Sequence, residues 1–337
     1  MKKVLIVTNS SETGIDKVVS ELEKLGQSYL LVNVDRLATD NFELFESLNR
    51  TEYEFNLKIG DSYIESSNLL SIWYRRPNFG TGNQELSVFD PGLFAASEWK
   101  YSFHSLHTIL PGYWMNNPIW GVYLLEHNKV RQMQIAAAVG LKTPDTIITN
   151  SYQLLSDFCD KHQGIIVCKS IYGAIFCDQD NNRWGIYTQR ITKKELNEGK
   201  ERIGYAPVMA QEYIAKSIEL RVTIIGHHVL CCSIYSQDSE RTKDDWRRYD
   251  FKRVKHEIYV LPEDITEKLK RFMIRCSLNF GAVDMILTPA GEYVFLEVNP
   301  SGQYGWIEAL TNLPISATIA AALSTPHENG LVWTSPY

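Results

Sequence analysis

The chain has 337 residues, 44% hydrophobic and 22% charged, enough apolar material for two or three packed units sharing a large core. Its net charge of −6 argues against general nucleic-acid binding, and no apolar run approaches the roughly 18 residues needed to cross a bilayer. The N-terminus shows no signal-peptide pattern, so the expected location is the cytoplasm, with no membrane partner. The six cysteines (Cys159, Cys168, Cys177, Cys231, Cys232 and Cys276) then read as reduced core thiols without metal-ligand spacing.

Met1-Lys2-Lys3 leads straight into a strand, Val4–Thr8. An amphipathic helix from Ile15 to Leu25, closed by Gly26, and a strand at Tyr29–Val34 follow. That β–α–β order predicts a parallel pair with a right-handed crossover. The turn over residues 8–14 lacks both glycine-rich phosphate-loop patterns and reads as a helix start. Strands at Tyr53–Ile59 and Tyr63–Glu65, joined through Gly60-Asp61, predict a hairpin. The apolar strand Leu70–Tyr74 runs into Arg75-Arg76-Pro77, and two guanidiniums at a strand exit can receive carboxylates in bidentate fashion. Residues 92–110 form a helix with Trp99, Phe103 and Leu106 at helical spacing.

Lys129 lies near the start of a helical stretch, Glu126 to Val139-Gly140, and a strand at Leu141–Ile148 comes next. Lys169 ends the strand Gly164–Lys169, just before a loop containing Gly173. An ammonium leaving a buried strand beside a glycine loop is placed to meet phosphate oxygens as a point charge. A polar segment, Asp178–Arg183, precedes an apolar strand at Trp184–Thr188. Thr192 and Glu195 then stand at capping-box spacing, while Glu198, one turn later, has no capping duty. Val208–Ile214 reads as a strand entering a hinge, with Glu219-Leu220-Arg221-Val222 beyond it. Between Asp238 and Glu257 lie seven basic and six acidic residues. They form either a solvated face or a segment whose Arg247 or Arg248 closes over a carboxylate and a transferred phosphate.

The most informative stretch follows. Val283-Asp284-Met285-Ile286 and Tyr293–Asn299 read as two buried strands joined by Pro289-Ala290-Gly291, a hairpin carrying Asp284, Glu297 and Asn299. A carboxylate in a sheet core is costly unless paired or bound to a cation. Glu297 and Asn299 are two apart and share a face. With Asp284 facing the same way, three hard oxygen donors converge, a set that suits Mg²⁺ together with substrate phosphates. Residues 326–337 read as a loose tail.

This ordered set resembles the ATP-grasp superfamily of carboxylate–amine and carboxylate–alcohol ligases, over about residues 115–323. The resemblance implies an α/β (α+β) ATP-grasp fold. It would comprise an N-terminal βαβ (pre-ATP-grasp) domain over 1–115 and a central subdomain with a lid over 116–206. A C-terminal subdomain carrying the Mg²⁺ site would span 207–325, before the tail. By the same resemblance Lys129 and Lys169 contact the α- and β-phosphates of ATP, the backbone of Glu212-Tyr213-Ile214 hydrogen-bonds the adenine edge with Gln211 beside it among the nucleotide-binding residues, and Glu219 holds the ribose hydroxyls. Arg221 reaches the γ-phosphate and the acyl phosphate formed from it, and Asp284, Glu297 and Asn299 hold two magnesium ions.

Leu70–Pro77 and Asp244-Asp245-Trp246-Arg247 narrow this further, being similar to the graspetide or microviridin-type ligases that cyclise ribosomally made peptides. That resemblance implies ATP-dependent joining of Asp or Glu side chains to Ser, Thr or Lys side chains of one precursor. Arg75, Arg76, Arg221 and Arg247 would be the catalytic arginines. A leader segment of the precursor would bind near Glu195 and Glu198. A homodimer stays open. The alternatives are an ATP-grasp ligase joining an amino acid to a small peptide or to a protein C-terminus, and a non-enzymatic peptide-binding module with a vestigial nucleotide site.

Overall fold

The computed structural model describes residues 2–37, 39–50, 52–79, 91–126, 128–171, 175–177, 183–185 and 187–334. Three sheet-based units follow one another along the chain. The first opens with β1 (Lys3–Thr8), α1 (Ile15–Lys24) and β2 (Tyr29–Asn33), the expected parallel β–α–β unit. β3 (Phe42–Asn49), β4 (Glu52–Ile59) and β5 (Ser62–Glu65) form a separate antiparallel sheet. β6 (Leu69–Tyr74), α2 (Pro91–Ile109) and β7 (Tyr113–Met115) complete a parallel sheet in the order β2-β1-β6-β7. One face of it, with Leu5, Val7 and Ile72, packs on β4, β5 and α2 through Phe55, Ile64 and Phe103.

After a π-helical turn at Pro118–Tyr123 come α3 (Lys129–Ala138), β8 (Thr146–Thr149), α4 (Tyr152–Lys161) and β9 (Ile165–Lys169). The short pair β10 (Ile175–Cys177) and β11 (Arg183–Gly185) is followed by β12 (Gln189–Thr192), α5 (Lys193–Glu198) and β13 (Val208–Glu212). The central sheet is antiparallel, ordered β12-β9-β13-β8, and rests on α4 and α5 through Leu155, Cys159 and Leu196. Gly173, His127 and residues 178–182 lie outside the described residues.

The last unit contains β14 (Ile218–Ile225), β15 (His228–Ile234), β16 (His256–Tyr259), α6 (Glu263–Arg275), β17 (Phe280–Leu287), β18 (Tyr293–Asn299), α7 (Gly305–Thr311) and α8 (Ile315–Ser324). Its antiparallel sheet runs β16-β15-β14-β17-β18. One face packs on α3 and α6 through Ile135, Leu269 and Phe272. Ile225, Cys232 and Ile234, with Ile315 and Ile319 of α8, join the second face of the parallel sheet through Val4, Ile6 and Trp73. The first and last units therefore share one core. Burial of this continuous apolar surface holds them together.

Four expectations change. The strand expected over residues 141–148 begins at Thr146, and Lys142 makes only an isolated bridge to Val294. β13 is an interior strand of the central sheet, so the junction with the last unit falls after Glu212 instead of at 206/207. The strand expected at Trp184–Thr188 ends, within the described residues, at Gly185. The tail is not loose up to Thr334. Leu331 is buried, Asn279 bonds Val332 at both backbone polar atoms, and Thr334 pairs with Gly112. An apolar side chain and two backbone groups with internal partners give that segment a reason to stay.

The tail crosses the β14–β15 turn at Gly226, whose φ is +55° and whose added Cβ would collide with the Asn329 carbonyl. Gly226→Ala should therefore lower stability by about 2 kcal/mol or more, from strained backbone and displaced tail together. Urea denaturation measures it, and an unchanged midpoint would show that the tail does not bear on that turn.

Candidate nucleotide and metal site

The centre of the site is a row of charge across three neighbouring strands. Arg221 on β14 is the register partner of Asp284 on β17, and Asp284 is the register partner of Glu297 on β18. Antiparallel pairing in register puts these side chains on one face. The hairpin predicted from the sequence thus forms, with a bulge between Asp284 and Met285 that sets Leu296 off the ladder. Arg221 Nη1 lies 3.0 Å from both Asp284 oxygens, and its Nη2 donates to the Gln303 carbonyl at 3.3 Å. Lys129, the first residue of α3, closes the row with an ion pair to Glu297 at 2.9 Å.

The two carboxyls divide electrostatically. Burial pushes Asp284 up, with Arg221 opposing. Burial also acts to raise Glu297, but Lys129 and Lys169 outweigh it and hold that carboxyl below its ordinary value. Asn299 stands at the exposed end of β18, opposite Ala282, and its Oδ1 accepts from the Ser301 N–H at 3.0 Å. Among the described residues no cluster of three or more His, Cys, Asp or Glu gathers. A metal here would be held by two carboxylates and an amide oxygen, leaving positions for phosphate and water. That donor set and its buried, charge-dense surroundings fit Mg²⁺.

A cleft of about 680 Å³ opens above the row, between the central and last sheets. Lys169 enters it from the end of β9. Burial, with Lys129 and Arg247 assisting and Glu297 opposing, brings its ammonium down to about 8. Tyr213 and Ile214 line the cleft where β13 leaves the central sheet, and Arg190 lies over the Tyr213 ring at 5.5 Å. Gln211 and Glu212 line the cleft as well, with their side chains bonded inside the central unit. Gln211 donates to Thr146 Oγ1 at 3.0 Å, and Glu212 accepts from the Asp145 N–H at 2.9 Å. Their side chains fix the hinge within the central sheet.

Glu219 is buried at the opposite wall, accepting from Lys216 Nζ and Ser236 Oγ, each at 2.8 Å. Arg247 reaches the cleft from a short 3₁₀ turn, its guanidinium gripped by Asp245 at 2.8 and 2.6 Å. Burial would raise Asp245, but Arg247 overrides it and holds that carboxyl down at about 2. Trp246 lies 5.8 Å beneath Arg221. Sequence patterns alone give Lys216 no role, and Asp245 only a place in the Asp244-Asp245-Trp246-Arg247 motif. Their signal is local spacing, a lysine three residues before Glu219 and a carboxylate two before Arg247.

Arg75 and Arg76 do not line the cleft. Arg75 is buried and pairs with Glu12 at 3.0 Å, whereas Arg76, at φ +48°, turns outward and lies 3.7 Å from the same carboxylate. Glu195 completes the capping box of α5 with Thr192, and the exposed Glu198 lies 3.9 Å from Lys194. Both are on the central unit, away from β17 and β18.

The RimK-like ATP-grasp domain family matches residues 126–323, which contain every member of the charged row. The chain belongs to this family of ATP-grasp proteins. The MvdD pre-ATP grasp domain matches residues 3–88. No curated protein sequence matches the chain significantly. Among solved structures, this ATP-grasp chain is similar to a RiPP-associated ATP-grasp ligase of Chryseobacterium gregarium in complex with ADP and a leader and core peptide. Identity is 28%, 97% of each chain is covered and the TM-score is 0.84. The macrocyclase MdnC of Microcystis aeruginosa MRC, bound with precursor peptide MdnA, is 27% identical, covering 96% of this chain and 99% of that one, TM-score 0.80. The macrocyclase MdnB of the same organism is 30% identical over 96% of this chain and 99% of that one, TM-score 0.72. The fold class expected from the sequence, an ATP-grasp fold behind a pre-ATP-grasp domain, is the one observed.

Lys169 yields a pH test. An ammonium that titrates near 8 in the free protein binds phosphate only when protonated, so nucleotide affinity should fall as pH rises from 7 to 9. Lys169→Arg keeps its charge throughout that range and should flatten the profile. Calorimetric titration with ADP reads both. Parallel profiles for the two proteins would remove Lys169 from the phosphate site.

Proposed function

We propose that this ATP-grasp ligase closes rings within a ribosomally made precursor peptide. It would activate an Asp or Glu side chain with ATP and join it to a Ser or Thr hydroxyl, or a Lys amine, of the same peptide. The observation that carries this reading is the Arg221–Asp284–Glu297 row, facing a cleft lined by Lys169 and Arg247. Near full-length similarity to two macrocyclases and to a ligase holding leader and core peptides supports the peptide substrate.

In this mechanism Tyr213 and Ile214 receive the adenine and Glu219, held as an acceptor by Lys216 and Ser236, receives the ribose hydroxyls. Lys129 and Lys169 meet the α- and β-phosphates. Asp284, Glu297 and Asn299 would hold Mg²⁺, two ions in this reading, whose charge would offset that of the triphosphate. The substrate carboxylate attacks the γ-phosphorus and ADP leaves. Arg221 and Arg247 face the equatorial oxygens, where positioned positive charge favours phosphoryl transfer. The hydroxyl or amine then attacks the activated carbonyl, the C–O bond to phosphate breaks, phosphate departs and the nucleophile's proton passes to solvent. The central sheet above the cleft would keep water from the acyl phosphate.

The leader would dock on the central unit. An apolar groove of about 790 Å³, lined by Leu155, Ile191, Leu196, Tyr205 and Val208, runs beside α5, with Glu195 on its lining. Such a groove suits an amphipathic helix, with a charged side chain setting its register. Glu195 is engaged in its capping box, so Glu198 is the acidic residue left to pair with a leader cation.

Incubation with ATP, Mg²⁺ and a precursor should release ADP and remove one water per ring, read by mass spectrometry. Glu297→Gln should fold normally and lose roughly 10²–10³-fold in rate, because the charge that holds the metal is gone. ATP consumption that lengthens a peptide or protein tail without loss of water from one chain would favour the tail-adding alternative. Glu198→Lys should weaken leader binding severalfold in a fluorescence titration, and an unaltered dissociation constant would place the leader elsewhere.

A further inference from the structure

The loop that leaves β18 after Asn299 is held by its carbonyls, one after another. Asn116 Nδ2 donates to Pro300 O at 2.8 Å, Arg75 Nη1 to Ser301 O at 3.1 Å and Gly302 O at 3.2 Å, and Arg221 Nη2 to Gln303 O at 3.3 Å. Two of these four acceptors belong to Arg75, which comes from the end of β6 in the first unit. Its Nε pairs with Glu12 at 3.0 Å, and its guanidinium lies 5.5 Å from the Tyr304 ring centre and 5.8 Å from that of Phe280. The side chain is 3% exposed and does not line the cleft.

The loop sits close enough to the charged row to transmit its position. A Cβ on Gly302 would collide with Ala282 and come within 2.9 Å of Arg221 Nη2 and 3.2 Å of Asn299 O. Gly302 N donates back to Asn299 O at 3.1 Å, and Ser301 N to Asn299 Oδ1 at 3.0 Å. Moving Ser301 or Gly302 therefore moves the Asn299 amide and the guanidinium that grips Asp284.

We propose that Arg75 is a positioning residue, by which the first unit sets the 300–303 loop and so the Asn299 and Arg221 side chains at the metal–nucleotide site. A guanidinium at a strand exit can instead receive a substrate carboxylate, the role expected of Arg75 from the sequence. Its burial and its bonds to Glu12 and to the carbonyls of Ser301 and Gly302 do not suit that task. A fixed planar fork suits the duty, since one guanidinium spans a carboxylate and two carbonyls that a lysine ammonium cannot reach together. Groups that orient metal ligands in this way commonly govern affinity for the metal itself.

The proposal rests on the reading of Asp284, Glu297 and Asn299 as metal ligands, and calorimetry separates the two. Wild-type protein should bind ADP more tightly with Mg²⁺ than with EDTA, and equal affinities would sink the metal-site reading itself. With that difference in place, Arg75→Met should weaken Mg²⁺–ADP binding by about tenfold or more. Its affinity for metal-free ADP should stay within about twofold of wild type, a split that general loosening would not produce. Wild-type Mg²⁺–ADP affinity, or an equal loss in both titrations, would overturn the positioning role. If circular dichroism shows Arg75→Met unfolded, Arg75→Lys keeps the charge and the Glu12 contact. It should show the same split at smaller size, and its absence there would be equally decisive against the proposal.

Discussion

Two carboxylates set opposite each other in a sheet interior are the constraint around which this molecule is arranged. Asp284 and Glu297 would repel each other and carry a large desolvation cost if left alone. The fold supplies a cation to each flank, Arg221 from the next strand and Lys129 from the start of α3. Lys169 and Arg247 bring further positive charge from the opposite wall. The arrangement is balanced without nucleotide and suited to exchange. In the proposed function a triphosphate would attract the cations, and Mg²⁺ would take their place on the carboxylates.

Each unit contributes to that balance through its backbone. The central sheet delivers Lys169 at a strand end and the hinge at Tyr213–Ile214, both held by β13 pairing with β9. The last sheet supplies the row itself. No described residue of the first unit lines the cleft, yet the unit shares a core with the last unit through Trp73, Ile6 and Ile315 and grips the loop after Asn299 through Arg75. In the proposed positioning role it would act as a mount for β17 and β18.

Much of this was legible from residue patterns because the chemistry was placed in apolar strands. Asp284, Glu297 and Asn299 interrupt β-branched runs, so both the hairpin and its shared face could be read from a period of two. Lys169 at a strand exit and the Thr192–Glu195 box were readable for similar local reasons. β3 was missed because Glu43, Phe45, Glu46 and Leu48 are exposed and give no alternation. The tail was misread since its anchors, Asn279 and Gly112, are distant in sequence. Arg75 was read as facing substrate because its true partners, Glu12 and the carbonyls of residues 301 and 302, are brought together only by the fold.

The central claim is that this cleft transfers the γ-phosphoryl group of ATP to a side-chain carboxylate of the peptide that is then cyclised. A precursor whose acceptor Asp or Glu carboxylates carry heavy oxygen tests it directly, with mass analysis of the phosphate released. Attack by the carboxylate on phosphorus leaves one of its oxygens on phosphate when the ring closes, so one labelled oxygen should appear in phosphate for each ring formed. Ring formation with unlabelled phosphate, or with AMP and pyrophosphate as products, would contradict the account.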